Sequence, residues 1–376
     1  MTEVASGVLR MQLPIWMPGL GHVNMYALED DRGLAVVDPG LPGPQSWKAL
    51  KQRLASAGVR LRDIHTVVIT HSHPDHFGGA GRIAREADAR IVTHHAFSTW
   101  TVKGPSPQRA LSEEEARRAE LAAAAFAQSV DVGEEIPTVD QYDASADAAA
   151  EAAGDDDLET QVNSSPWGAR TPWGTVNQGP PLKRRLMIRA MRMLFNPPEP
   201  TERVHHGQRV RLAGREWFVV HTPGHTVDHL CLWDPEDGVL LTGDHVLPSI
   251  TPHVSGVRRA DSLKSYLATL DLVAGLDGVQ LGLPAHGNPF ADVAGRVESI
   301  KEHHAERMEL LREAGVALGP ATVTQLSHEV FPKRHWGTMA ESETFAHLEH
   351  LVNAGHGECW EDDAGMLVYR LAPAAP

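Results

Sequence analysis

The chain has 376 residues, an ordinary 42% share of hydrophobic side chains and a formal net charge of −15. That length is ample for one large domain with additions, or for two domains. The acidic balance argues against non-specific nucleic-acid binding by the whole surface, leaving only a local basic patch for such a role, and no apolar run approaches the ~20 residues of a membrane span.

The first ten residues lack a basic start followed by an apolar core, so no export signal is expected. Cys231 and Cys359 are the only cysteines and lie far apart. They make no disulfide framework, which fits a reducing cytoplasm. Leu13 to Trp16, Asn24 to Glu29 and Gly33 to Asp38 read as three strands joined by Pro18-Gly19 and Asp30-Asp31-Arg32. Ser46 to Gly58 has helical spacing, with Trp47, Leu50 and Leu54 on one face and Gly58 as the stop. A β-branched strand follows at Val67 to Ile69, then a short helix at Gly81 to Ala87 and a strand at Arg90 to Thr93. This alternation predicts an α/β protein.

Residues 103–205 break the pattern. Leu111 to Val130 is an Ala- and Glu-rich helix by composition. From Asp131 to Gln161 there are eleven acidic residues and no Lys or Arg, so that stretch is expected to be loosely ordered. Ser164-Ser165-Pro166-Trp167-Gly168 is echoed by Thr171-Pro172-Trp173-Gly174. Leu182 to Phe195 reads as a cationic amphipathic helix. Either it docks on the domain by its apolar side, or it forms a lid that meets an anionic or acyl substrate or a membrane surface. Strands resume at Gln208 to Leu212, Gly214 to His221, Leu230 to Trp233 and Val239 to Thr242. Ser262 to Ala274 reads as a helix, Val279 to Leu283 as a strand, and Ala291 to Ala314 as a long helix ended by Gly315. Thr322 to Phe331 and Ser342 to Ala354 read as helices, followed by a hairpin around Asp362-Asp363-Ala364-Gly365. Helix, helix, hairpin suggests a small winged-helix-like module, read as a dimerisation or packing element. The expected division is a catalytic domain over 1–297, with 103–205 as a helical and acidic lid, and a C-terminal module over 298–376.

The chemistry concentrates at Thr70-His71-Ser72-His73-Pro74-Asp75-His76-Phe77-Gly78-Gly79. Four ligand-type residues within six positions at a strand end is metal-site spacing for a borderline cation such as zinc. The competing explanation is a His-rich turn, but no packing argument asks for four coordinating groups together. Three further strand exits carry ligand-type residues: His225 in Thr222-Pro223-Gly224-His225-Thr226, Asp244 after Val239-Leu240-Leu241, and His286 after Val279 to Leu283. Loops leaving strand ends converge on one edge of an α/β sheet. One site built from His71, His73, Asp75, His76, His225, Asp244 and His286 is therefore expected. Seven ligands exceed one tetrahedral ion, which implies two ions bridged by Asp244.

These motifs, in this order, resemble the metallo-β-lactamase-fold hydrolase superfamily. The resemblance implies an αββα sandwich and a dinuclear zinc site, with other divalent metals as alternatives. His71, His73 and His225 would hold one ion, Asp75, His76 and His286 the other, and Asp244 would be shared. Asp38 matches an early strand-end aspartate of the superfamily that supports the ligands from behind. His229, and His221 in the same way, are candidates for that supporting role, whereas His245 and His253 read as surface or packing residues. Within the superfamily, the Thr222 to His229 segment and the C-terminal tail are similar to the group called β-lactamase-like protein 2, which includes a ribonuclease and fungal thioesterases acting on carrier-bound polyketides. Ala285 stands where a glycine is usual, and the 103–205 insert exceeds that group's norm. His73 stands where di-iron relatives place a glutamate, and Asp244 is lacking in true β-lactamases of this fold.

The implied reaction is attack on a carbonyl by metal-bound hydroxide, with Asp75 orienting it and passing a proton to the leaving group and with Asp244 as the other catalytic carboxylate. A thioester or ester of an acyl-CoA, acyl carrier or glutathione is the expected substrate. Lactone hydrolysis and RNA cleavage are the alternatives, the latter opposed by the net charge. The residues that bind substrate are not identified by sequence.

Overall fold

A computed structural model describes residues 1–15, 20–99, 102, 171–175, 197–257 and 260–373. The helices read at Leu111 to Val130 and Leu182 to Phe195, the acidic run, the Ser164 to Gly168 segment and the Pro18-Gly19 turn lie outside the described residues. No helix among those described is long and apolar enough to cross a membrane.

Two sheets stack face to face. The first has seven strands in sequence order: β1 (Thr2–Ala5), β2 (Val8–Pro14), β3 (His22–Asp30), β4 (Gly33–Val37), β5 (Ile64–Ile69), β6 (Arg90–His94) and β7 (Glu202–Val204). The second contains β8 (Arg209–Leu212), β9 (Arg215–His221), β10 (Leu230–Asp234), β11 (Val239–Gly243) and β12 (Leu281–Pro284), in the order β12-β11-β10-β9-β8. The strands alternate with period two, and each sheet is apolar on both faces. In β4, Leu34 and Val36 point to the outer core, while Ala35 and Val37 point between the sheets. In β9, Phe218 and Val220 face outwards, while Trp217 and Val219 face inwards.

Helices cover both outer faces. On the first sheet lie α1 (Pro44–Ser56), whose Trp47, Leu50 and Leu54 are buried, and α3 (Ala80–Ala87); the single turn α2 (Pro74–Phe77) precedes α3. On the second lie α4 (Ser262–Ala274) and α5 (Val293–Leu318), through Leu263, Tyr266, Leu270, Val297 and Ile300. The expected αββα sandwich is the observed architecture.

The last 80 or so residues form a satellite core. Here α6 (Val323–Val330) and α7 (Thr338–Asn353) pack with a three-stranded sheet of β13 (Ala321–Thr322), β15 (Leu367–Leu371) and β14 (Gly357–Glu361). Thr322 caps α6 in a reciprocal box with Gln325. Helix α5 joins the two cores: Val297 and Ile300 belong to the sandwich, Leu311 to the satellite. Gly315 does not stop α5, contrary to expectation. It lies inside the helix because a Cβ there would come within 2.8 Å of Leu371 Cδ1. The stop is Gly319, in the left-handed region at φ 71°. The Thr171-Pro172-Trp173-Gly174 echo also finds its place here. Trp173 is buried against Phe345, its indole N–H donates to Glu341 at 3.1 Å, and its carbonyl accepts from Leu367 N–H.

Strands β4, β5, β6 and β7 run parallel, as do β11 and β12, and β9 shares their direction across antiparallel β10. Their C-terminal ends therefore open on one edge of the sandwich, which is where the ligand-type residues leave the sheets.

Candidate metal centre

The seven expected side chains reach that edge from the exits of four strands. His71 and His73 follow β5, Asp75 and His76 ride on α2, His225 follows β9, Asp244 follows β11 and His286 follows β12. Pro74 occupies the first helical position of α2, where its fixed φ suits a helix start. Their ligand atoms gather into two groups, each within 4.8 Å: His71, His73, His225 and Asp244, then Asp75, His76 and His286.

In the first group His71 Nε2 lies 2.9 Å from His73 Nδ1, which lies 3.1 Å from His225 Nε2. Asp244 Oδ2 is 3.7 Å from His225 Nε2 and 4.0 Å from His71 Nε2. Tetrahedral ligands at zinc–nitrogen distance stand about 3.3 Å apart, so this tripod needs to open by only a few tenths of an ångström. The other ring nitrogens are already spent. His225 Nδ1 donates to the His253 carbonyl at 2.6 Å, and His71 Nδ1 meets Thr70 Oγ1 at 3.1 Å. Both rings are thereby held with Nε2 bare.

The second group is held in the same manner. His76 Nδ1 donates to Asp38 Oδ2 at 2.8 Å, and His286 Nδ1 to the His22 carbonyl at 2.7 Å. Their Nε2 atoms stand 3.6 and 3.5 Å from Asp75 Oδ2, and both stand 3.4 Å from Asp244. Asp244 is thus shared between the groups. His76 Nε2, His286 Nε2 and Asp244 Oδ1 are buried and lack a hydrogen-bond partner. Buried polar atoms left so are costly, and an approaching cation would satisfy all three. Five imidazoles and two carboxylates, with no thiolate, also form a donor set suited to zinc and other borderline ions.

The electrostatics divide the histidines. Burial, then the neighbouring His76, His73 and His225, hold His71 well below its ordinary pKa; burial and His225 bring His73 to about 3; burial lowers His225. These three rings present lone pairs, as ligands must. Burial would also lower His286, but the Asp244 and Asp75 carboxylates outweigh it and raise the ring to about 10. His76 is raised for the same reason, by Asp244, Asp38 and Asp75. Burial would raise Asp244 and Asp75; the histidines prevail and keep both ionised, with Asp244 well below the usual carboxylate range.

Asp38 and His229 lie behind the gathered side chains. Asp38 follows β4 in the left-handed region at φ 54°. It accepts Thr70 N–H (2.9 Å), Thr70 Oγ1–H (2.8 Å) and His76 Nδ1–H. His229 Nε2 accepts the Asp244 backbone N–H at 3.0 Å, which leaves Nδ1 to donate to Thr222 Oγ1 at 2.7 Å. Gly243 is required beside it: a Cβ there would lie 2.5 Å from His229 Nε2. His221 instead donates to the Val227 carbonyl at 2.8 Å and stacks on His94 with centroids 3.7 Å apart, bracing the 222–229 loop rather than a ligand. His245 is buried with its carbonyl bound by Tyr266 OH, a packing role. His253 acts through its carbonyl on His225.

Sequence reasoning did not single out Thr70, whose hydroxyl joins Asp38 to His71. It also assigned no role to Ser72 and Asp228. Ser72 Oγ donates to Asp228 Oδ1 at 3.1 Å, bracing the loop between His71 and His73; burial pushes the Asp228 carboxyl up to about 6. Asp228 lies inside the His225-to-His229 motif, which was the available signal.

Residues 18–279 match the family described as the metallo-beta-lactamase superfamily. Probable metallo-hydrolase YqjP of Bacillus subtilis is 25% identical over 343 residues, covering 88% of each chain. Lactamase-like protein nscB of Neosartorya fischeri is 37% identical over 106 residues; that match spans 28% of this chain and 30% of the fungal protein. Among solved structures, a metallo-beta-lactamase family protein of Thermus thermophilus superposes with a TM-score of 0.66 at 28% identity, covering 98% of this chain and 100% of that one.

Proposed function

The chain belongs to the metallo-beta-lactamase superfamily of metal-dependent hydrolases, and from that premise we propose that it hydrolyses a thioester or ester with two zinc ions held by the seven gathered side chains. His71, His73 and His225 would hold one ion and Asp75, His76 and His286 the other, with Asp244 lying between the two groups. The observation that carries the reading is the pair of ligand groups sharing Asp244, with three buried atoms pointed inwards and unpaired. Bound there, divalent cations would polarise a carbonyl and acidify water towards a pKa of ~7.

The protein's own groups supply the rest. Asp75 Oδ2, held between His76 and His286, is a buried ionised carboxylate. It orients the attacking water and returns its proton to the departing thiolate or alkoxide. Asp244 is fixed through its backbone by His229 and keeps the two ligand groups in register. No activated side-chain nucleophile competes among the described residues near the site. Cys231 is buried with its thiol pushed up to about 12, and Ser72 is tied to Asp228. Water is therefore the nucleophile.

The Thr222 to His229 segment with a helix, helix, hairpin tail supports kinship with the β-lactamase-like protein 2 group, and hence an acyl-CoA, acyl-carrier or glutathione thioester as substrate. On this reading residues 1–297 are the catalytic domain and 298–376 a winged-helix-like module that packs on it. The test is a panel of a p-nitrophenyl ester, an acyl-CoA, a homoserine lactone and single-stranded RNA, offered to the zinc-loaded protein. Turnover of the acyl-CoA or ester is expected. Turnover of the lactone alone, or of RNA alone, replaces the thioester reading with that activity.

A further inference from the structure

The last ligand in the chain is positioned by strands at its other end. His286 sits in the loop Pro284-Ala285-His286-Gly287-Asn288, and strand β3 holds the carbonyls of Pro284, Ala285 and Gly287 together with the His286 ring. The His22 carbonyl accepts from the His286 ring. Asn24 N–H donates to the Ala285 carbonyl at 2.7 Å, and Asn24 Nδ2 donates to the carbonyls of Pro284 at 2.8 Å and Gly287 at 2.9 Å. Tyr26 OH donates to the same Pro284 carbonyl at 2.8 Å. From neighbouring β2, Arg10 donates to the Gly287 carbonyl and to Asn288 Oδ1, both at 2.9 Å, and its Nε donates to Asn24 Oδ1 at 2.9 Å. The contacts made to the loop itself span 258 to 278 residues of sequence.

The choice of residue is informative. His22, Asn24 and Tyr26 alternate along the face of β3 that looks between the sheets, where Tyr26 and Leu28 join the core. An apolar residue at 24 would suit that face. Instead a 1% exposed asparagine stands there with its carbonyl and amide both engaged. A buried amide that spends both N–H donors on the loop, and its oxygen on an arginine that also grips the loop, is a device for fixing that loop.

We propose that Asn24, aided by Arg10 and Tyr26, is a positioning residue for the second cation, setting the reach of His286 Nε2 towards Asp75 and Asp244; this rests on the assignment of Asp75, His76 and His286 to one ion. Groups that orient a ligand from behind change metal affinity by about ten- to a hundredfold when removed.

The experiment is Zn2+ titration of the metal-stripped full-length chain against a chromogenic chelator. The wild type is compared with Asn24→Ala, Arg10→Gln, Tyr26→Phe and the control His286→Ala, and each fold is checked by circular dichroism. The expected result is a second-ion affinity about ten- to a hundredfold weaker in Asn24→Ala, with the first ion unchanged and smaller losses in the other two positioning variants. Co2+ loading should show a ligand-field spectrum altered for the second equivalent alone. If Asn24→Ala does not fold, Arg10→Gln and Tyr26→Phe carry the test, because both leave the buried amide in place. Equal weakening of both ions, or none, in variants that fold overturns the proposal while His286→Ala still loses one ion. A wild type that takes up fewer than two ions overturns both the proposal and the assignment beneath it.

Discussion

Replacing Asp38 by asparagine tests how the site is held together, because the exchange is nearly isosteric. Asparagine also tolerates the left-handed backbone at φ 54°, so the turn after β4 should persist. The hydrogen bonding cannot. Asp38 accepts three bonds of 2.8–2.9 Å, from Thr70 N–H, Thr70 Oγ1–H and His76 Nδ1–H. An asparagine can take the first with its carbonyl oxygen, but its NH2 then meets two donors. His76 must either lose its partner or move its proton to Nε2, where it blocks the atom turned towards Asp75 and Asp244. Losing one charge-assisted bond costs about 1.5–3 kcal/mol. Expressed as metal affinity this is about ten- to a hundredfold for the second ion. The first ion should weaken less, because His73 and His225 do not touch Asp38. The assay is zinc competition with a chromogenic chelator, alongside steady-state hydrolysis of a p-nitrophenyl ester. An Asp38→Asn protein that binds both ions as tightly as the wild type would refute the idea that this carboxylate fixes the His76 tautomer.

Three other outcomes follow from the same geometry. His71→Ala removes one leg of the tripod and should abolish turnover and lower the metal content; full activity in that variant would identify a contaminating enzyme. Gly243→Ala places a methyl group 2.5 Å from His229 Nε2 at φ 52°, which should cost about 2–4 kcal/mol of stability, read as a lower urea midpoint; an unchanged midpoint would contradict the stated contact. The third concerns pH. His304 and His347, bonded to each other at 3.0 Å and buried beside Tyr266, His303, Arg307 and Glu343, are lowered chiefly by burial to about 3 and about 4. The unfolded chain takes up their protons near pH 6.5 and the folded chain does not, so stability is full above about 6.5 and falls on acidification towards pH 4, by up to about 1.4 kcal/mol per pH unit for each ring. Thermal melting from pH 7.5 to 4.5 should show this decline, and His347→Gln should flatten it; an identical slope in the variant would refute the assignment.

Much of the sandwich was legible because its strands are short and apolar and its turns are rich in glycine and proline. The Ser262–Ala274 helix emerged with its observed bounds, since Asp261 caps it and Gly275 follows it. The seven ligand-type residues could be picked out because they cluster just after four strands, and parallel strands end on one edge. What escaped has physical causes. Strands β1 and β7 are four and three residues long, too short for alternation to register. Gly315 read as a helix stop because sequence shows the missing side chain but not Leu371 lying against it. Asn24, Arg10 and Thr70 escaped because they serve partners that only the tertiary fold brings near.

The central claim is that this edge of the sandwich holds a pair of metal ions. Elemental analysis of the full-length protein, purified without chelator and reloaded with zinc, tests it most directly. Two equivalents per chain are expected in the wild type, with a deficit in both His71→Ala and His286→Ala. A wild type with no bound transition metal, or variants that retain two equivalents, would contradict it.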